Sequence, residues 1–125
     1  PELREAVAQA NRRFYGLEVD PKSEIVVTSG ATEAVTACLM AVLNPGDECV
    51  LIEPLYDTYL PVVKLLGAVP KLVRLSPPKW ELPRAELAAA FGPKTKAILL
   101  NTPMNPASKV FTAAELAFIA QLLQK

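Results

Sequence analysis

The chain has 125 residues, of which 51% are apolar, and 13 Lys and Arg balance 13 Asp and Glu to a formal net charge of zero. This apolar content can fill a core, and it argues against intrinsic disorder. Nucleic-acid binding and membrane insertion are not expected, because the chain has neither a basic block nor an apolar run long enough to span a bilayer.

The cysteines and the lack of histidine narrow the possible chemistry. Cys38 and Cys49 lie inside apolar runs without metal-ligand spacing, and the chain contains no histidine. A zinc site and nucleophiles activated by histidine are therefore not expected. We predict that both cysteines are reduced core thiols, as is typical of a cytoplasmic protein.

In chain order, the pattern predicts helices that alternate with strands. Helices are predicted over residues 1–15, 32–43, 56–66 and 84–91, and a capping box at 112–115 opens the last one. Strands are predicted over residues 25–28, 49–52, 69–75 and 97–100. This order predicts an α/β fold, a three-layer αβα arrangement with a mainly parallel sheet.

Ligands of such sheets bind beyond the carboxyl ends of the strands, which directs attention to the strand-to-helix loops. The first of these loops contains Gly30, Ala31 and Thr32 and leads into a helix N-terminus. Glycine permits close approach to a ligand, and the amides of a first helical turn attract phosphate or carboxylate. The alternative is an ordinary capped turn in which Gly30 serves only the backbone.

The next two loops carry aromatic and amide side chains. Tyr56 follows the second predicted strand, where its ring can stack on a flat heteroaromatic ligand or simply pack on the following helix. Asn105 lies in the loop after the fourth predicted strand and precedes a proline that stiffens the backbone. Its amide can donate a hydrogen bond to a phenolate oxygen, although Asn-Pro turns are also common without a ligand.

Considered together, the three loops resemble those of class I/II, fold-type-I aminotransferases that depend on pyridoxal 5′-phosphate (PLP). Residues 28–34, Thr-Ser-Gly-Ala-Thr-Glu-Ala, are similar to the phosphate-binding loop of that family. Residues 53–59, Glu-Pro-Leu-Tyr-Asp-Thr-Tyr, resemble its aromatic segment, and 101–106, Asn-Thr-Pro-Met-Asn-Pro, its Asn-Pro motif. Within the family, the sequence resembles the kynurenine-, methionine- and glutamine-related subgroup.

The resemblance implies a role for each of five residues. Gly30, Ala31 and Thr32 would bind the PLP phosphate, Tyr56 would stack on the pyridine ring, and Asn105 would donate a hydrogen bond to the 3′ oxygen. Stabilising that oxygen as a phenolate tunes the reactivity of the cofactor. We expect the three loops to meet at one rim of the sheet around a common cavity.

The resemblance also implies what the chain is part of. It covers residues 1–125 and implies the N-terminal part of the large PLP-binding domain, with the lysine that binds the cofactor and the small domain in downstream sequence. Amino-acid and 2-oxo-acid substrates and a homodimer follow from the same resemblance. We expect the 125 residues to fold poorly in isolation, because the strand at 25–28 would lack its neighbours in the sheet.

One position departs from the family pattern, and several alternative functions remain. Ser108 replaces a glycine that usually follows the Asn-Pro motif, which would cost about 1 kcal/mol if the residue needs a positive φ. A C–S β-lyase on the same fold and a PLP-binding winged-helix transcription regulator share the cofactor motifs. A dinucleotide-binding module or a P-loop nucleotidase is not expected, since neither glycine-rich motif is present.

Overall fold

The computed structural model describes residues 1–124. In this part of the chain the elements are, in order, α1 (Glu2–Tyr15), α2 (Gly30–Val42), β1 (Glu48–Glu53), α3 (Tyr59–Leu65), β2 (Val69–Arg74), α4 (Arg84–Ala90), β3 (Thr95–Leu99) and α5 (Ala113–Leu122). The chain divides into two compact units, and the boundary after Ala34 falls within α2. None of the described helices is both long and apolar enough to cross a membrane.

The first unit contains α1, the irregular segment that follows it and the start of α2. Gly16 ends α1 in the left-handed conformation, with φ 66°, and its N–H donates to the carbonyl of Arg12 at 3.1 Å, as the glycine signal predicts. The predicted strand at 25–28 is wrong, because these residues pair with no strand in the described part of the chain. β-Branched side chains favour extended backbone, but a strand also needs the ladder bonds of a neighbour.

The second unit is built on a three-stranded parallel sheet with β1 in the centre and β2 and β3 on either side. The β1–β2 register runs without a break from Glu48 opposite Val69 to Glu53 opposite Arg74. The β1–β3 register shifts once, near the start of β1. The parallel sheet predicted from the alternating pattern is therefore confirmed for these three strands.

Burial of β1 on both faces explains why it lies in the centre. Val50 and Ile52 belong to a core cluster that includes residues of α4 and α5, and Cys49 and Leu51 belong to a second cluster with residues of α2 and α3. Successive strand residues point to opposite faces, so a strand with four consecutive apolar residues, such as 49–52 of β1, needs helices on both sides. The observed layers confirm the αβα arrangement.

Two local predictions need correction. Helix α3 begins at Tyr59 and not at residue 56, because Pro61 lacks an N–H and fits only within the first turn, where no intrahelical bond is required. Cys49 is a buried thiol whose pKa is raised to about 11 by burial, as a core position implies, but Cys38 is exposed. Its neighbour Leu39 takes the buried position, since adjacent residues of a helix face different directions.

Candidate cofactor-binding site

The first predicted loop is a tight turn that opens α2. Gly30 is the first residue of the helix and has φ 81°, so its backbone conformation, and not a close protein neighbour, requires glycine. The Gly30 N–H donates to the Thr28 carbonyl at 2.9 Å, and the Ser29 N–H donates to the Glu33 carboxylate. Ala31 and Thr32 follow in the first turn of α2, where the helix dipole favours an anion.

Tyr56 and Asn105 lie at the same edge of the sheet in the second unit. Tyr56 follows the end of β1 and Asn105 follows the end of β3, and these strands are parallel neighbours. Tyr56 is 39% exposed as a residue, and its ring packs edge-on against Tyr59 with the ring centroids 5.8 Å apart. An aromatic ring held in this way is suited to stacking on a flat ligand.

The loop that carries Asn105 is held by hydrogen bonds along its length. The Asn105 N–H donates to Oδ1 of Asn101 at 2.7 Å. The Met104 N–H donates to the Lys109 carbonyl at 2.8 Å, and the Ser108 N–H donates to the Met104 carbonyl at 2.6 Å. Met104 itself is buried in the core. The exposed Asn105 therefore follows directly after an anchored residue.

Ser108, which takes the place of a family glycine, has a positive φ. Its φ is 55°, in the left-handed region where a Cβ is unfavourable. Replacing Ser108 by glycine is expected to raise the free energy of unfolding by about 0.5–1 kcal/mol, because relief of the strain outweighs the added chain entropy. Urea denaturation measures the change, and Ser23→Gly in an exposed turn is the comparison. No gain for Ser108→Gly would show that the loop relieves the strain by other means.

Beyond this loop, Glu115 joins three segments of the second unit. Its carboxylate accepts hydrogen bonds from Nζ of Lys109 at 2.9 and 3.1 Å, from the Leu82 N–H at 3.2 Å and from the Thr112 N–H at 2.8 Å. The capping box predicted for residues 112–115 is confirmed. Its link to Lys109 was not predicted, because the capping pattern specifies only contacts within the helix end.

The environment of Glu115 favours its charged form. The side chains of Lys109 and Glu115 are only 9% and 12% exposed. Burial by itself would raise the pKa of Glu115, but hydrogen bonds from Thr112, the Lys109 ammonium and Leu82 outweigh it and lower the pKa to about 2. The Lys109 Nζ also lies 5.0 Å from the centre of the Phe111 ring. Lys109 and Glu115 therefore form a nearly buried ion pair at the far end of the Asn105 loop.

The five predicted site residues fall into two groups. Gly30, Ala31 and Thr32 belong to the first unit, and Tyr56 and Asn105 belong to the second. The structure brings Tyr56 and Asn105 to one sheet edge and places the other three at a helix N-terminus. A cavity common to all five stays a prediction.

Comparison with known proteins identifies the family. The family model described as aminotransferase class I and II matches residues 1–125. The chain belongs to this aminotransferase family. Among its relatives, a probable N-succinyldiaminopimelate aminotransferase of Mycobacterium tuberculosis is 43% identical over 96% of this chain and 31% of that protein. Kynurenine–oxoglutarate transaminase 1 of Rattus norvegicus is 38% identical over 100% of this chain and 32% of that protein.

A solved structure agrees with the aminotransferase assignment of the fold. The crystal structure of a methionine aminotransferase from Escherichia coli matches with a TM-score of 0.93 and 40% identity, over 98% of this chain and 32% of that one. The fold is therefore that of the PLP-dependent transferases. The chain spans about a third of the length of the relatives that it matches.

Proposed function

We propose that this chain is the N-terminal part of the PLP-binding large domain of an aminotransferase, within a longer protein that is called the complete enzyme below. The observation that carries the proposal is the parallel pairing of β1 with β3, which brings Tyr56 and Asn105 to one edge of the sheet. Membership of the class I and II family supports it. The coverage of about a third of each relative supports the position of the chain within a larger domain.

The residues of the three loops fit the chemical groups of PLP. Gly30, Ala31 and Thr32 would bind the phosphate at the N-terminus of α2, where amides and the helix dipole favour an anion. Tyr56 would stack on the pyridine ring, and the Asn105 amide would donate to the 3′ oxygen. When bound, PLP supplies the electron sink that stabilises charge at the α-carbon of an amino acid. The chain's own residues bind and orient the cofactor, and the catalytic lysine is proposed to lie downstream.

The proposed reaction transfers an amino group from an α-amino acid to a 2-oxo acid, so that one new oxo acid forms for each new amino acid. The names of three relatives, a probable N-succinyldiaminopimelate aminotransferase, a methionine aminotransferase and a kynurenine–oxoglutarate transaminase, support transamination over the lyase and regulator alternatives. We further propose a homodimer, which the family resemblance supports, and a cytoplasmic location, which the reduced, buried thiol of Cys49 supports. The relatives' substrates suggest that amino acids such as methionine and kynurenine are the first donors to test.

The test uses the complete enzyme reconstituted with PLP. Equal amounts of new oxo acid and new amino acid, formed only when both an amino acid and a 2-oxo acid are present, would support the proposal. Pyruvate and ammonia released from a cysteine-type thioether without any 2-oxo acid would instead indicate the C–S lyase. Failure of the protein to bind PLP would contradict both enzymatic functions.

Replacing Tyr56 by alanine in the complete enzyme is expected to weaken PLP binding about 10-fold, because the loss of a stacked ring costs about 1–1.5 kcal/mol. Tyr56→Phe keeps the ring and should bind PLP close to wild type. Fluorescence titration of the apo-protein with PLP measures both. Tyr15→Ala, which removes an exposed ring at the end of α1, is the control. Equal affinities for Tyr56→Ala and the wild type would argue against stacking by Tyr56.

A further inference from the structure

Main-chain hydrogen bonds close the Asn105 loop. They connect Met104, which precedes Asn105, to residues 108 and 109 at the C-terminal end of the loop. The Lys109 carbonyl accepts the N–H of Met104, and the Met104 carbonyl accepts the N–H of Ser108. Met104 is adjacent to Asn105 in the chain. A displacement of the Lys109 backbone therefore breaks the hydrogen bond from the Met104 N–H to the Lys109 carbonyl. The backbone next to Asn105 is then less constrained.

The side chain of Lys109 holds this far end against the rest of the second unit. Its ammonium group contacts both carboxylate oxygens of Glu115, at 2.9 and 3.1 Å, in surroundings where both side chains are nearly buried. Glu115 in turn is bound to Thr112 at the start of α5 and to the N–H of Leu82. Because a buried charge without its partner is costly, the pair resists separation. The loop is thus fastened to two other segments through one carboxylate.

The near end of the same loop has separate and weaker supports. The side chain of Asn101 accepts the Asn105 N–H at 2.7 Å, and Oγ1 of Thr102 accepts the Phe111 N–H at 3.3 Å. Both are uncharged contacts. The ion pair is therefore the strongest single constraint among the described contacts of this loop.

We propose that Lys109 and Glu115 are positioning residues, which hold the backbone of the 101–109 loop in the one conformation that places the Asn105 amide at the cofactor. This inference rests on the proposed function. Under this proposal the Lys109–Glu115 ion pair does more than stabilise α5. It also affects cofactor binding, because it determines the position of Asn105. The capping contact of Thr112 stabilises the start of α5, and the Thr112 hydroxyl also donates to the Glu115 carboxylate at 3.1 Å, but it does not contact Lys109.

The experiment compares two ways of disturbing Glu115 in the complete enzyme. Glu115→Gln removes the charge that pairs with Lys109 but keeps an oxygen for the capping box, which accepts Glu or Gln at this position. Thr112→Ala removes the cap and the hydrogen bond of the Thr112 hydroxyl to the Glu115 carboxylate, but it keeps both contacts of Glu115 with Lys109. Lys109→Met is the second disruptive variant, and Lys109→Arg preserves the charge. For each protein, the unfolding midpoint of the apo-protein, the affinity for PLP and the pH midpoint of the visible absorbance of bound PLP are measured.

We expect Glu115→Gln and Lys109→Met to raise the pH midpoint by roughly half a unit, because a displaced Asn105 no longer favours the oxygen as an anion. The affinity for PLP should fall about 3- to 10-fold. Lys109→Arg should restore most of both values. Thr112→Ala should lower only the unfolding midpoint. In an Asn105→Ala background, Glu115→Gln should add no further shift in the pH midpoint, because the group that it positions is already absent.

Two results would overturn the inference. One is a Glu115→Gln protein that loses stability but keeps the wild-type pH midpoint, which would make the ion pair purely structural. The other is an equal pH shift in the presence and absence of Asn105, which would show that the effect bypasses this residue. A wild-type protein that does not bind PLP would overturn the proposed function itself, whereas either result above, with PLP bound by the wild type, leaves that function standing. Glu115→Gln and Lys109→Arg keep the test decisive if Lys109→Met does not fold.

Discussion

Replacing Asn105 by alanine in the complete enzyme is expected to lower kcat/KM about 10- to 100-fold, with a rise of roughly one unit in the pH midpoint of the bound PLP absorbance. The reason is the loss of the proposed hydrogen bond from the Asn105 amide to the anionic 3′ oxygen of PLP, a class of contact that contributes about 1.5–3 kcal/mol. Asn105→Asp should fall below Asn105→Ala, because a carboxylate cannot donate and repels the oxygen anion. Steady-state kinetics and a spectroscopic pH titration measure both effects.

The matched control for Asn105 is Asn44→Ala. Asn44 precedes β1 and so lies at the opposite edge of the sheet, where its side chain makes a single long contact among residues 1–124, at 3.5 Å from Asp47. The same chemical change should leave kcat/KM near the wild-type value there. If Asn105→Ala and Asn105→Asp both retain wild-type kinetics and pH midpoint, Asn105 does not contact the cofactor.

The second large effect is a dependence of stability on pH through Glu115. Its pKa is about 2 in the folded chain and has a reference value of 4.5, so the folded state favours the charged carboxylate. At about 1.4 kcal/mol per pH unit, the carboxylate contributes about 3 kcal/mol above pH 4.5, and this contribution is lost as the pH falls towards 2. The difference in unfolding free energy between the wild type and Glu115→Gln should therefore be about 2 kcal/mol smaller at pH 3 than at pH 7. Urea denaturation of the complete enzyme at both pH values measures it.

Glu81→Gln provides the comparison for this measurement. Glu81 pairs with Lys79 at 3.7 Å, but both side chains are more than three-quarters exposed, at 77% and 78%. Solvent screens such a pair, and it contributes little to stability. A stability difference for Glu115→Gln that stays constant from pH 7 to pH 3 would show that the capping and ion-pair contacts do not depend on the charge of Glu115.

Predictions that depend on neighbours in the chain agree well with the structure. The stop at Gly16 and the capping box at residues 112–115 are local backbone effects, so the sequence contains all of the groups involved. The parallel sheet follows almost as directly, because an apolar strand such as β1 must be covered on both faces. The candidate residues Tyr56 and Asn105 were found because their loops follow such strands and because the motifs resemble those of a known family.

Predictions that depend on distant partners agree less well. The segment at 25–28 has strand-like residues, but a strand is completed only by a neighbour that pairs with it. Cys38 and Cys49 both lie in apolar runs, yet packing buries only the second. In each case, composition specifies a preference and packing determines whether it is realised.

The sequence alone is sufficient for the family and for the order of helices and strands from α2 onward, and its motifs nominate the five residues proposed to bind PLP, because motif spacing and apolar periodicity are properties of the chain itself. Only the tertiary structure revealed the contacts of Glu115 with Lys109 and Leu82. Such a pair depends on burial and on the approach of segments that are separated in the chain, and no local pattern encodes either. The residues that would contact the cofactor can thus be predicted from the sequence. The residues that hold them in position can be identified only from the tertiary structure.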